Sequence, residues 1–146
     1  MAAYKHTQIG YVTAGAMAGV ALLAAWTNRE RRGWVRALIA GGHAVGAVLF
    51  SSLTVIVEDD VLRFYFGPGF WERRIPLDDV QRATRVRTSL LHGWGIHRTP
   101  HGWLYNVSGL DAVEVETSTE TFRIGTDEPE RLRQALDQAR PNSPAS

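Results

Sequence analysis

Two stretches without Asp, Glu, Lys or Arg, Thr7 to Thr27 and Ala37 to Val57, dominate the front of the chain, each 21 residues long and one short loop apart. A helix needs about 20 apolar residues to cross the ~30 Å hydrocarbon layer of a bilayer. The pattern therefore predicts a transmembrane helical hairpin over residues 1–51, with spans of about 7–27 and 34–52. Gly15 and Gly19 stand four apart in the first span, and Gly41, Gly42 and Gly46 lie at similar depth in the second. Small residues let helix backbones approach closely in lipid, so the two helices are expected to pack on each other with Gly15 near Gly42.

Trp26 and Trp34 bracket the loop Asn28-Arg29-Glu30-Arg31-Arg32, as amphipathic rings at headgroup level do. The charged flank and the length of the first span argue for an uncleaved anchor over a signal peptide. The location predicted is the cell membrane, multi-pass, with a lipid bilayer as first partner. The loop arginines place the loop in the cytoplasm by the positive-inside rule, which sends the rest of the chain outward. His43 is the one ionisable side chain in the uncharged part of the second span, and it is expected to hydrogen-bond across to Thr13 or the facing backbone.

From Leu53 the period changes to two. Leu53, Val55 and Val57, the turn Glu58-Asp59-Asp60, then Leu62, Phe64 and Phe66 read as a β-hairpin. Phe70 to Ile75 follows as a strand ended by Pro76, which belongs at an edge, and Val80 to Arg87 as another. Pro100-His101-Gly102 turns between two short strands, and Ala112–Thr117 with Phe122 and Ile124 makes a last hairpin. Asp127 as N-cap, Pro129 in the first turn and Leu132, Ala135, Leu136 and Ala139 at i, i+3, i+4 and i+7 predict a closing amphipathic helix. About seven antiparallel strands capped by a C-terminal helix give a mainly β domain over 52–140, a sandwich or partly open barrel. Residues 141–146 are expected to be a disordered tail.

The strand run into Ile75-Pro76-Leu77, the segment Gly93-Trp94-Gly95-Ile96, the segment Gly102-Trp103-Leu104-Tyr105-Asn106-Val107, and Gly125-Thr126-Asp127-Glu128-Pro129 together carry a likeness. Over residues 52–140 the chain resembles the pleckstrin-homology-like (PH-like) domains of small bacterial membrane proteins. That resemblance implies no catalytic residues. It also implies a cytoplasmic domain, against the arginine count.

Charge divides unevenly: residues 1–52 carry a net +4 and residues 53–146 a net −3. The negative balance of the second part argues against nucleic acid. The chain has no cysteine, so disulfides and thiolate metal sites are excluded. His92, His97 and His101 invite a metal reading, but no carboxylate lies nearer in sequence than Asp111. Asp59-Asp60 and Asp78-Asp79 sit at predicted turns, and no nucleophile elbow or phosphate loop is present. No cofactor is expected.

The reading is therefore a non-enzymatic integral membrane protein whose PH-like domain binds a protein partner or self-associates at the membrane surface. Trp94, Trp103 and Tyr105, with Phe70 and Trp71, are candidates for an exposed aromatic contact site. The rival reading is recognition of anionic lipid headgroups by Arg82, Arg85 and Arg87. A weaker one is a metal sensor or enzyme built on the histidines.

Overall fold

The structure is a computed structural model that describes residues 2–30 and 32–140, so the expected tail and Arg31 of the loop lie outside the described residues. In chain order the elements are β1 (Ala2–Ile9), α1 (Tyr11–Thr27), α2 (Gly33–Leu49), β2 (Ser52–Glu58), β3 (Val61–Phe66), β4 (Trp71–Pro76), β5 (Val80–Arg87), β6 (Gly95–Thr99), β7 (Gly102–Asn106), β8 (Asp111–Thr117), β9 (Thr121–Gly125) and α3 (Pro129–Ala139). One sheet has the order β1-β2-β3-β4, the other β5-β8-β9-β7-β6.

The first strand changes the meaning of the apolar stretches. Thr7, Gln8 and Ile9 pair with Thr54, Leu53 and Ser52, so both ends of the predicted spans are strand and not helix. Leu53, Val55 and Val57 are apolar because they face the core of the β region. What remains helical is 17 residues in α1 and 17 in α2. At 1.5 Å per residue each is about 25 Å long, short of the ~30 Å of a bilayer's hydrocarbon. Among the described residues no helix is long and apolar enough to cross a membrane. The two-span hairpin, the integral membrane protein and the cell-membrane location are all overturned by this, and the orientation conflict goes with them.

The hairpin is instead an insertion between two adjacent antiparallel strands. Its two ends meet where the Gly10 N–H donates to the Ser51 carbonyl at 2.7 Å. An added Cβ at Gly10 would lie 2.8 Å from the Phe50 carbonyl oxygen and 3.0 Å from the Val107 Cβ, so the chain enters α1 through a gap that fits glycine.

The two sheets share one core. Phe64, Phe66, Leu62, Leu53 and Val57 come from the first, Phe122, Ile124, Val113 and Val115 from the second. Alternation sets this up: β3 buries Leu62, Phe64 and Phe66 and turns Arg63 and Tyr65 away. Asp59, in the two-residue turn before β3, takes a left-handed φ of 48°, which Asp tolerates better than most residues. Pro76 ends β4 at the sheet edge, where a missing donor breaks no ladder.

The expectation of about seven strands, all antiparallel, is corrected on two points. Nine strands form among the described residues, and β7 runs parallel to β9, Trp103 opposite Phe122 and Tyr105 opposite Ile124. Gly102 makes that contact possible, since an added Cβ would lie 1.9 Å from the Thr121 carbonyl oxygen and its φ is 98°.

Helix α3 buries Pro129, Leu132, Ala135 and Leu136 and packs on β5, β8, β1 and β2. Its cap differs from the expected one. The helix starts at Pro129 with Glu128 at the cap position and no side-chain cap bond. The Glu128 N–H donates to the Thr126 hydroxyl at 3.0 Å. Asp127 is engaged elsewhere, 2.5 Å from His6 Nε2, while His6 Nδ1 lies 3.4 Å from Glu128, which ties β1 to the start of α3.

Candidate functional site

The hairpin is where the molecule departs most from what a folded domain does with apolar residues. Neither α1 nor α2 contains a buried residue. At the base the Thr13 hydroxyl donates to the Val107 carbonyl at 2.5 Å, and the Phe50 ring packs on Phe66 and Phe70. Beyond the base the two helices pack chiefly on each other.

Their shared face is not the one the glycines suggest. Added Cβ atoms at Gly15, Gly19, Gly41 and Gly42 would meet nothing within 4 Å, so these positions open outward. The tight approach is at Gly46, where a Cβ would lie 2.3 Å from Met17 Cε. The half-buried row runs through Ala14, Met17, Ala21 and Ala24 on α1 and through Val35, Ile39, His43 and Gly46 on α2. His43 bonds along its own helix, Nδ1 at 2.8 Å from the Ile39 carbonyl, and not across to Thr13.

Large apolar side chains cover the outside. Val20 is 51% exposed, Leu23 59%, Leu38 67% and Val45 58%, while Trp26 and Trp34 stand out at the tip at 65% and 62%. Val20 and Leu38 border a shallow crease of about 350 Å³ that Met17, Ile39, Gly42 and His43 complete. Scattered exposed leucines are ordinary, whereas here large exposed apolar side chains run along both helices. Sequence reading found the apolar stretches and took lipid as their partner. The signal it lacked was the pairing of residues 7–9 with β2, which shortens the helices.

The candidate aromatic residues do not form one exposed patch. Tyr105 is buried in the core, with Trp71 stacked on it at 5.2 Å between ring centroids and Phe64 at 5.1 Å. Arg73 lies over the Tyr105 and Phe122 rings, donates to the Tyr105 hydroxyl at 2.6 Å and pairs with Glu120. Burial is the main cause that raises the Tyr105 phenol above its ordinary value, with the Arg73 charge opposing it. Trp94 is half-buried, its Nε1 out of solvent and without a partner among the described residues. Trp103 is exposed. Phe70 is exposed beside Phe50 at the base of the hairpin.

Arg82, Arg85 and Arg87 are all exposed on β5. They do not share a face: Arg82 stands opposite Glu116, whereas Arg85 and Arg87 alternate with Thr84 and Val86 on the side of buried Ala83. Arg85 lies 3.5 Å from Asp111. A cradle for anionic headgroups needs these charges converging, so that reading loses its geometry. His97 Nε2 is hydrogen-bonded to the Trp94 carbonyl, and His101 sits exposed in the β6–β7 turn. Among the described residues no group of three or more His, Cys, Asp or Glu side chains is placed to hold a metal.

Among the described residues the β region carries an open groove of about 610 Å³, bordered by Arg98, His101, Trp103, Glu114, Glu116 and Glu120. Glu114 is held by Arg123 at 2.7 Å and Glu120 by Arg73, so two of the three carboxylates already have their cations. No family model matches the chain, and no curated protein matches it.

Proposed function

We propose that the protein is a non-catalytic assembly module that self-associates through the α1–α2 hairpin and carries the β region as its platform. The observation behind this is the hairpin's surface: two mainly apolar helices with no buried residue and, beyond the base, chiefly each other to cover them. Leaving Val20, Leu23, Leu38 and Val45 half or more in water forgoes roughly 1 kcal/mol or more for each side chain, which association recovers. The platform role is consistent with a groove two of whose three carboxylates are tied to arginines, and with the PH-like resemblance, which implies no catalytic residues.

Sedimentation equilibrium of the full chain tests it over about 1 to 100 µM. The expected result is a concentration-dependent oligomer that Leu23→Lys with Leu38→Lys converts to a folded monomer. A wild-type monomer throughout that range overturns the proposal. So does an oligomer indifferent to the two lysines, or a monomer that floats with lipid vesicles.

A further inference from the structure

The hairpin has two broad faces, and they are not alike. Around α1, Ala16, Val20 and Leu23 follow one row, and around α2, Trp34, Leu38, Gly42 and Val45 follow the matching one by the three-to-four spacing of a helix. The crease shows that these rows share a side, since Val20, Leu38 and Gly42 border it together. The opposite side presents Tyr11, Ala18, Leu22 and Ala25 on α1 and the row Arg36, Ala40 and Ala47 on α2. One face is thus bulky, uncharged and creased. The other is small-sided along α2, carries Tyr11 and Leu22 on α1, and holds a guanidinium at Arg36.

Resting on the self-association just proposed, we infer that the creased face stacks on the same face of a second copy, with the two hairpins antiparallel, to form a four-helix layer pair. Three observations support this occupant and this orientation. A face about 25 Å long and two helices wide covers about 500 Å² per copy, or about 1,000 Å² in total, which is the lower bound for a biological interface and the range of weak, reversible ones. The creased face carries no Asp, Glu, Lys or Arg and leaves Val20, Leu38 and Val45 half or more exposed, so burying it against itself removes apolar surface from water and strands no charge. The tips carry Arg29, Arg32 and Arg36 against Glu30. Stacking tip to tip would bring those cations together, whereas antiparallel stacking separates them by about the hairpin's length, well beyond the ~8 Å over which charge is felt at physiological salt.

Antiparallel stacking about a two-fold axis brings α1 over α1 and α2 over α2. Residues at mid-height then meet their own copies: Val20 lies near Val20 of the second chain and Gly42 near Gly42. Leu23 and Leu38, toward the tip, lie far from theirs. In a tip-to-tip arrangement α1 would cover α2, and Leu23 would face Leu38.

The chain has no cysteine, so a single introduced thiol reports without interference. Under mild oxidation of the full chain, Val20→Cys and Gly42→Cys are each expected to give a disulfide-linked dimer at least about tenfold faster than Ala18→Cys on the other face. Leu23→Cys mixed with Leu38→Cys is expected not to link. Efficient linking in that mixture overturns the orientation, and linking at Ala18 as fast as at Val20 overturns the face. A sedimenting dimer in which neither Val20→Cys nor Gly42→Cys links overturns this inference while leaving self-association standing. Absence of any dimer removes the self-association itself.

Discussion

Tyr4 puts a phenol from an edge strand into the core, 7% exposed, its hydroxyl out of solvent beside the Thr126 side chain. Burial is the largest cause that pushes its pKa up to about 12 from an ordinary 10. The folded state therefore holds this proton more tightly than the unfolded chain does. Stability from that preference is fully present below about pH 10 and is lost as pH rises toward the folded value. Tyr105, also raised by burial, acts in the same direction. Urea midpoints are expected to fall between about pH 10 and pH 12. Tyr4→Phe should shallow that decline while changing stability at neutral pH by less than about 1 kcal/mol, because the phenol's polar contact is to Thr126, whose hydroxyl keeps its bond from the Glu128 N–H. An unaltered slope in the variant would place the alkaline loss on other groups.

The hairpin is an element that the sandwich closes behind. Gly10 and Ser51 are hydrogen-bonded at its base, and β1 and β2 are neighbours in register from Ile9 opposite Ser52 to Tyr4 opposite Val57. Replacing residues 11–49 by a short Asn-Gly turn should therefore leave an ordinary β-hairpin, with Phe50 kept for its packing on Phe66. The excised protein is expected to unfold cooperatively, to lose most of its helical circular dichroism and to sediment as a monomer. Failure to fold would show that α1 and α2 are part of the core's support. The same element marks how far the sequence is legible. Period-two alternation locates β3, β8 and β9, and the stripe Leu132, Ala135, Leu136 locates the buried face of α3, because in those segments local pattern and burial agree. At residues 7–9 and 52–57 they disagree. An apolar run reads the same whether a strand core or a lipid tail covers it, and only the long-range pairing of β1 with β2 decides. The parallel contact of β7 with β9 is equally non-local, so no short pattern announces it. The site shares that limit: the glycines of α1 and α2 are visible in the sequence, but which side of each helix meets the other depends on Met17 lying against Gly46.

Charge is distributed over the whole molecule so that the proposed interface has almost none. Residues 1–52 hold a net +4, yet α1 contains no charged residue and α2 only Arg36, with the other loop arginines at the tip. The acidic surplus sits in the β region, where much of it is paired locally, as in Arg123 with Glu114 and Arg133 with Glu130 and Asp137. An assembly driven by apolar burial and one driven by arginine meeting carboxylate answer salt in opposite ways. Screening shortens the reach of exposed charges from about 14 Å at 0.05 M to about 4 Å at 0.5 M, so a charge-driven dimer dissociates over that range. An apolar one does not, and sulfate tightens it by being excluded from the exposed surface. The oligomer is expected to change its dissociation constant by less than about threefold between 0.05 and 0.5 M sodium chloride and to tighten in ammonium sulfate. A dimer lost at 0.5 M chloride would move the interface off the hairpin and onto the charged surface of the β region.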